Sequence, residues 1–203
     1  IRHLRDVSQL NITSSENLYF ALQSRFGVTC YSSSIRNLAV ELIKLANDLR
    51  LMASGPTAGF AEIVIPAVHA GSSIMPGKIN PSLAECLNMI RFNVIGNDVA
   101  VAMASQAGQF ELNVMLPGML KWILESMDML RNFLPVFTGN FLNGIQADVD
   151  KLSGYVYRSP VLVAVLNPYI GYVKASEIYK KALETNRNVR DIVVEEGLMN
   201  ADD

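Results

Sequence analysis

The stretch AGSSIMPGKINPSLAE, residues 70–85, sets three serines, a lysine and an asparagine on a segment with two glycines and two prolines. Ser72 and Ser73 follow Gly71, and Gly77 sits beside Lys78, so the backbone can bend sharply and turn amides toward an anion. Lys78 adds a compact positive charge and Asn80 a directional amide. Together these are the parts of a carboxylate or phosphate clamp. The segment is not a P-loop, because Ile79 follows Lys78 where that motif needs Ser or Thr. It is not a nucleophile elbow either, since Gly-x-Ser-x-Gly is missing. The histidines are His3 and His69, and His69 is near enough in sequence to be a Ser-His partner or simply a surface residue. An ordinary Gly/Pro/Ser connection between two helices has the same composition, so these residues alone leave clamp and connector both open.

The elements around this stretch read as helices. Over residues 33–53, Ile35, Leu38, Ala39, Leu42, Ala46, Leu49 and Ala53 recur at steps of three and four, which predicts an amphipathic helix. Ser33 or Ser34 is its expected cap, and Gly55-Pro56 its stop. Residues 55–81 carry four glycines and four prolines and read as a long loop, with at most a short extended piece at 62–65. Pro81 suits a helical first turn, and Leu83, Leu87, Ile90, Val94, Ile95 and Val101 mark the helix after it. A third helix is expected over 112–142, bent at Pro117 and Pro135. It is apolar almost all round, adding Met115, Met119, Trp122 and Phe141 to its stripe, and such a helix is buried on every side. That predicts an oligomer packing helix on helix. Charge rises after Ile145, which places a subdomain boundary there. Beyond it the expectation is a turn at Asn167-Pro168, a helix over 173–184, a polar turn at 186–188 and a short helix stopped by Gly197. The fold class is therefore all-α, with residues 1–145 forming part of a long-helix bundle and 146–203 a small helical domain.

Composition narrows the partners. With 17 Lys and Arg against 19 Asp and Glu among 203 residues, no positive excess is present to hold nucleic acid. The apolar runs are short and interrupted, so no membrane span is expected. Cys30 and Cys86 lack metal-ligand spacing and read as small buried hydrophobes, which makes a reducing cytoplasm the expected location.

GSSIMPGKINP, residues 71–81, resembles the signature loop of the fumarase/aspartase superfamily, the lyases that eliminate ammonia, water or a larger amine to leave fumarate. KLANDLRLMASGP, VIGND, AGQFELNVM and LNPYIGY are similar to family segments and occur in the family's order. The resemblance covers essentially these residues from end to end but corresponds to less than half of a full-length member, its N-terminal part being the remainder. LRLMASGP, Gln109, Met115 and GYVYRS are similar to the aspartate ammonia-lyase branch, whereas Phe110 is a fumarase-like choice. Three departures stand out: Thr57 where relatives often carry Arg, Leu116 where aspartases commonly carry Glu, and SPVLVAVLNP in place of the usual Ser-x-Gly-Ile stretch.

The resemblance implies roles. Ser72 is expected as the base that removes a proton beside a carboxylate, and its oxyanion needs stabilising amides and nearby positive charge. Ser73 is expected in the clamp on the carboxylate that gathers the developing charge. Lys78 and Asn80 are expected to hold the substrate's other carboxylate, and Glu85 to orient a histidine from another segment. The implied substrate is a small dicarboxylate, aspartate or fumarate, in a site built from three subunits of a homotetramer. The glycines and prolines suit a loop that closes and reopens. No cofactor and no metal are implied. The expected activity is carbon-nitrogen elimination from L-aspartate, with a chain of this length holding one arm of the site and inactive alone. Class II fumarase and a non-catalytic assembly domain of the same superfamily are the alternatives.

Overall fold

The computed structural model describes residues 1–200, and the chain is all-α: helices carry it, with one pair of two-residue strands. It divides into two compact units, Ile1–Arg50 with Pro66–Gly144, and Leu51–Ile65 with Ile145–Asp203.

In the first unit two short helices, α1 (Arg2–Ser8) and α2 (Leu18–Gln23), precede the long α3 (Phe26–Met52), α4 (Ser82–Gln106) and α5 (Leu116–Asn140). Antiparallel packing of α3 on α4 follows from its polar pairs. Arg50 meets Glu85 at 3.4 Å and Asn47 meets Asn88 at 2.8 Å at one end, while Asp98 takes Ser32 at 2.6 Å and Arg36 at 3.1 Å at the other. α4 and α5 are antiparallel too, because Val101 and Ala104 pack with Met119 and Ile123, while Val94 packs with Leu130. Stacked Phe133, Phe137 and Phe141, with centroids 6.4 and 5.1 Å apart, close the end of α5.

Several boundaries differ from the sequence expectation. α3 begins at Phe26, and Ser33 and Ser34 lie inside it, donating to the Cys30 carbonyl at 3.0 and 2.9 Å instead of capping. Cys30 is exposed and Cys86 half-buried, both as free thiols; Cys30 sits two residues, about 200° of helix, from buried Ser32. α5 starts at Leu116, which puts Pro117 in the first turn, where a missing N–H costs nothing, rather than at a bend. Its buried stripe is Met119, Ile123, Ser126, Leu130 and Phe137, whereas Leu116, Leu120, Leu124, Met127 and Val136 stay exposed on this chain. Packing with α4 covers one face of α5, not every side.

The second unit holds β1 (Ile63–Val64), β2 (Gln146–Ala147), α6 (Val149–Arg158), α7 (Pro160–Ile170), α8 (Tyr172–Thr185) and α9 (Val189–Glu195). Composition alone divides the chain once, near Ile145, yet residues Leu51–Ile65 group with the later ones. The reason is a backbone ladder: Ile63 pairs with Ala147 and Val64 with Gln146, and the Asp148 N–H donates to the Glu62 carbonyl at 2.9 Å. Asp148 then caps α6 by accepting from the Lys151 N–H at 3.0 Å. The expected turn at Asn167-Pro168 lies inside α7, which ends instead at Gly171, φ +80°. Ala175, Ile178, Ala182, Val189, Ile192 and Val193 form this unit's core.

Candidate active site

The loop that joins β1 to α4 is shaped by its own sequence. Met75-Pro76-Gly77-Lys78 forms a turn closed by the Lys78 N–H on the Met75 carbonyl at 3.3 Å, with Gly77 at φ +81°. Pro second and a left-handed Gly third is the pattern of a type II turn. At the neck, a side chain on Gly71 would run into the Lys78 carbonyl oxygen, so only glycine allows the two strands to meet. The Asn80 amide donates to the Gly71 carbonyl at 2.5 Å and ties that neck.

Inside this frame Ser72 is half-buried, and its Oγ accepts from the Ile74 and Met75 N–H groups, both at 3.1 Å. Two amides on one hydroxyl oxygen favour its negatively charged form over the alcohol, since hydrogen bonds to the charged form stabilise it. Ser73 and Lys78 are exposed on the same loop, and among the described residues no ion pair engages the Lys78 ammonium. The residues expected to grip a ligand are therefore carried by one loop, with Ser73 and Lys78 open to solvent and Asn80 engaged in holding the loop together. Glu85 lies apart from that group, in the first turn of α4, where its Oε1 accepts from Arg50 Nη2 at 3.4 Å.

Spacing in the sequence missed three features. Arg50 and Asn47 reach Glu85 and Asn88 across the α3–α4 contact, and only the antiparallel register reveals them. His69 is paired with Ser82, 3.3 Å from Nδ1 to the hydroxyl, and not with Ser72 or Ser73. Arg91, six residues beyond Glu85, is fully buried, and among the described residues none of its three nitrogens has a hydrogen-bond partner; burial lowers its pKa to about 10. Among the described residues no group of three or more His, Cys, Asp or Glu is arranged to hold a metal ion, and no helix is long and apolar enough to cross a membrane.

The "Lyase" family model matches residues 1–96, and the "Fumarase C C-terminus" model matches residues 162–203. The chain belongs to the fumarase/aspartase superfamily. Among curated relatives it is 43% identical to the aspartate ammonia-lyase of Bacillus subtilis over 199 residues, 98% of this chain and 42% of that protein. It is 42% identical to fumarate hydratase class II 2 of Pseudomonas aeruginosa, over 96% of this chain and 42% of that protein. Among solved structures, native fumarate lyase:delta crystallin from Brucella melitensis superposes with a TM-score of 0.93 at 38% identity, over 99% of this chain and 45% of that one. Recombinant class II fumarase from Schistosoma mansoni superposes with a TM-score of 0.80 at 31% identity, over 99% of this chain and 43% of that one. The chain thus spans less than half the length of the lyases it matches.

Proposed function

We propose that the protein carrying this chain is a carbon-nitrogen lyase that eliminates ammonia from L-aspartate to give fumarate. The chain supplies one arm of a site shared among subunits of a homotetramer acting in the cytoplasm. The observation that carries this reading is Ser72 Oγ accepting two backbone amides in the GSSIMPGKIN loop. In the reaction the Ser72 oxyanion takes a proton from the carbon beside a carboxylate, and the C–H electron pair moves into that carboxylate. Ser73 donates to the dianionic carboxylate so formed. As those electrons return to make the double bond, the neighbouring C–N bond breaks and its pair leaves with ammonia. Lys78 holds the second carboxylate, and Asn80, by tying the loop, presents it. Glu85, already paired with Arg50, orients a histidine from a different segment. The elimination needs no electron sink beyond the carboxylate, so no organic cofactor takes part.

A second reading, class II fumarase acting on L-malate, is favoured by the 42% identity to the Pseudomonas aeruginosa enzyme and by Phe110. Fumarate formation by the full-length gene product, followed by its absorbance with L-aspartate and with L-malate in parallel, separates the two. Turnover of L-aspartate alone supports the first, turnover of L-malate alone the second, and turnover of neither rejects both.

A further inference from the structure

Hydrogen bonds of residues 72–79 stay within residues 71–80: Ser72 with Ile74 and Met75, and Lys78 with Met75. Among the described residues no hydrogen bond anchors its tip to the rest of the unit, so the loop is aimed by its neck. Two successive ties close that neck. The inner one is Asn80 on the Gly71 carbonyl, where Gly71 abuts Lys78. The outer one is His69 with Ser82, thirteen residues apart, the hydroxyl lying 3.3 Å from Nδ1 and 3.5 Å from Nε2.

Ser82 is free for this because of local helix chemistry. Ser82-Leu83-Ala84-Glu85 has the spacing of a capping box, but Pro81 occupies the N-cap position and makes no side-chain cap. Both polar side chains of the first turn therefore bond outside their own helix, Ser82 to His69 and Glu85 to Arg50. We propose that His69 and Ser82 form a clasp across the neck of the loop and act as positioning residues that aim Ser72 and Lys78 at their ligand. The aim matters because a misplaced base loses rate steeply, whereas the exposed grip of Lys78 tolerates more movement. This rests on the lyase reading above for its consequence in turnover, but not for its mechanics.

The test uses the full-length gene product and reads hydrogen exchange of peptides covering residues 70–80 together with steady-state kinetics, with succinate as a non-reacting dicarboxylate probe. Ser82→Ala is expected to raise loop exchange, weaken its protection by succinate, and lower kcat for L-aspartate about fivefold with KM little changed, the scale of one lost hydrogen bond. His69→Ala should match it, the double variant should be no worse than either, and Ser82→Thr should restore both readouts. Unchanged loop exchange in Ser82→Ala, or Ser82→Thr behaving like Ser82→Ala, overturns the clasp. Exchange that follows the expected pattern in a parent turning over neither L-aspartate nor L-malate upholds the clasp and sinks the lyase reading.

Discussion

Both units carry surface ion pairs, and they differ in their buried polar groups. In the second, Glu196 receives Lys181 at 2.7 Å and Lys174 at 3.0 Å, and Arg187 meets Glu195 at 2.7 Å, all around a closed core. In the first, Arg91 has no acceptor among the described residues, nor has the Asn88 Oδ1 three residues earlier a partner among them, and none of them pairs with Lys78 on its loop. Apolar surface divides less sharply, yet α5 leaves Leu116, Leu120, Leu124, Met127 and Val136 exposed. Groups left unmatched inside a chain are tolerated where something else completes them or where function requires them. On the proposed function the first unit is the part that meets a ligand and other segments, while the second has no unpartnered buried side-chain polar atom among the described residues.

That contrast can be broken experimentally. The largest effect is expected from core truncation: Phe137→Ala removes the middle ring of the stack and should destabilise the first unit by about 3–5 kcal/mol. Local hydrogen exchange should show α4 and α5 loosened with α8 and α9 unchanged; equal loosening of both units would mean that they are one cooperative body. Next comes Arg91→Met, which replaces an unpartnered buried charge with a flexible apolar chain and should stabilise by about 1–4 kcal/mol in urea denaturation. A loss of stability would show that Arg91 has an acceptor and that the contrast is overdrawn. Lys78→Met should raise KM for L-aspartate roughly 10–100-fold, the worth of a hydrogen bond to a charged group, without changing the urea midpoint.

The smallest effect lies in the second unit. Hydrogen bonds from Lys181 and then Lys174 hold the Glu196 carboxyl below its ordinary range, and Glu196 holds the Lys174 ammonium above its own. A carboxyl depressed on folding adds stability above its unfolded pKa and loses it as pH falls through the folded value; an ammonium raised on folding loses its share only as pH climbs past the lysine range. Glu196→Gln should accordingly lower Tm slightly at neutral pH, converge with the parent in acid, and converge also at high salt. A Tm gap that persists in acid would assign the effect to packing instead.

Much of this was legible beforehand, for physical reasons. The period of α4 and the sharp bend at Gly77 are local properties, so spacing and residue type reveal them. Ser33 and Ser34 misled because serine caps a helix and back-bonds within one equally well. Pro117 misled because the same ring starts a helix or bends it according to position. The partners of Glu85 and Ser82, and the isolation of Arg91, depend on the α3–α4 register and the loop neck, which join residues 13 to 41 positions apart. No short-range pattern carries that information.

The central claim is that Ser72 is the base of an elimination, and one comparison tests it most directly: fumarate formation from L-aspartate by the full-length gene product and its Ser72→Ala variant, at matched folding and assembly. The account expects the variant's kcat to fall by about 10²–10⁴-fold with its thermal midpoint unchanged. Turnover equal to the parent's would contradict it.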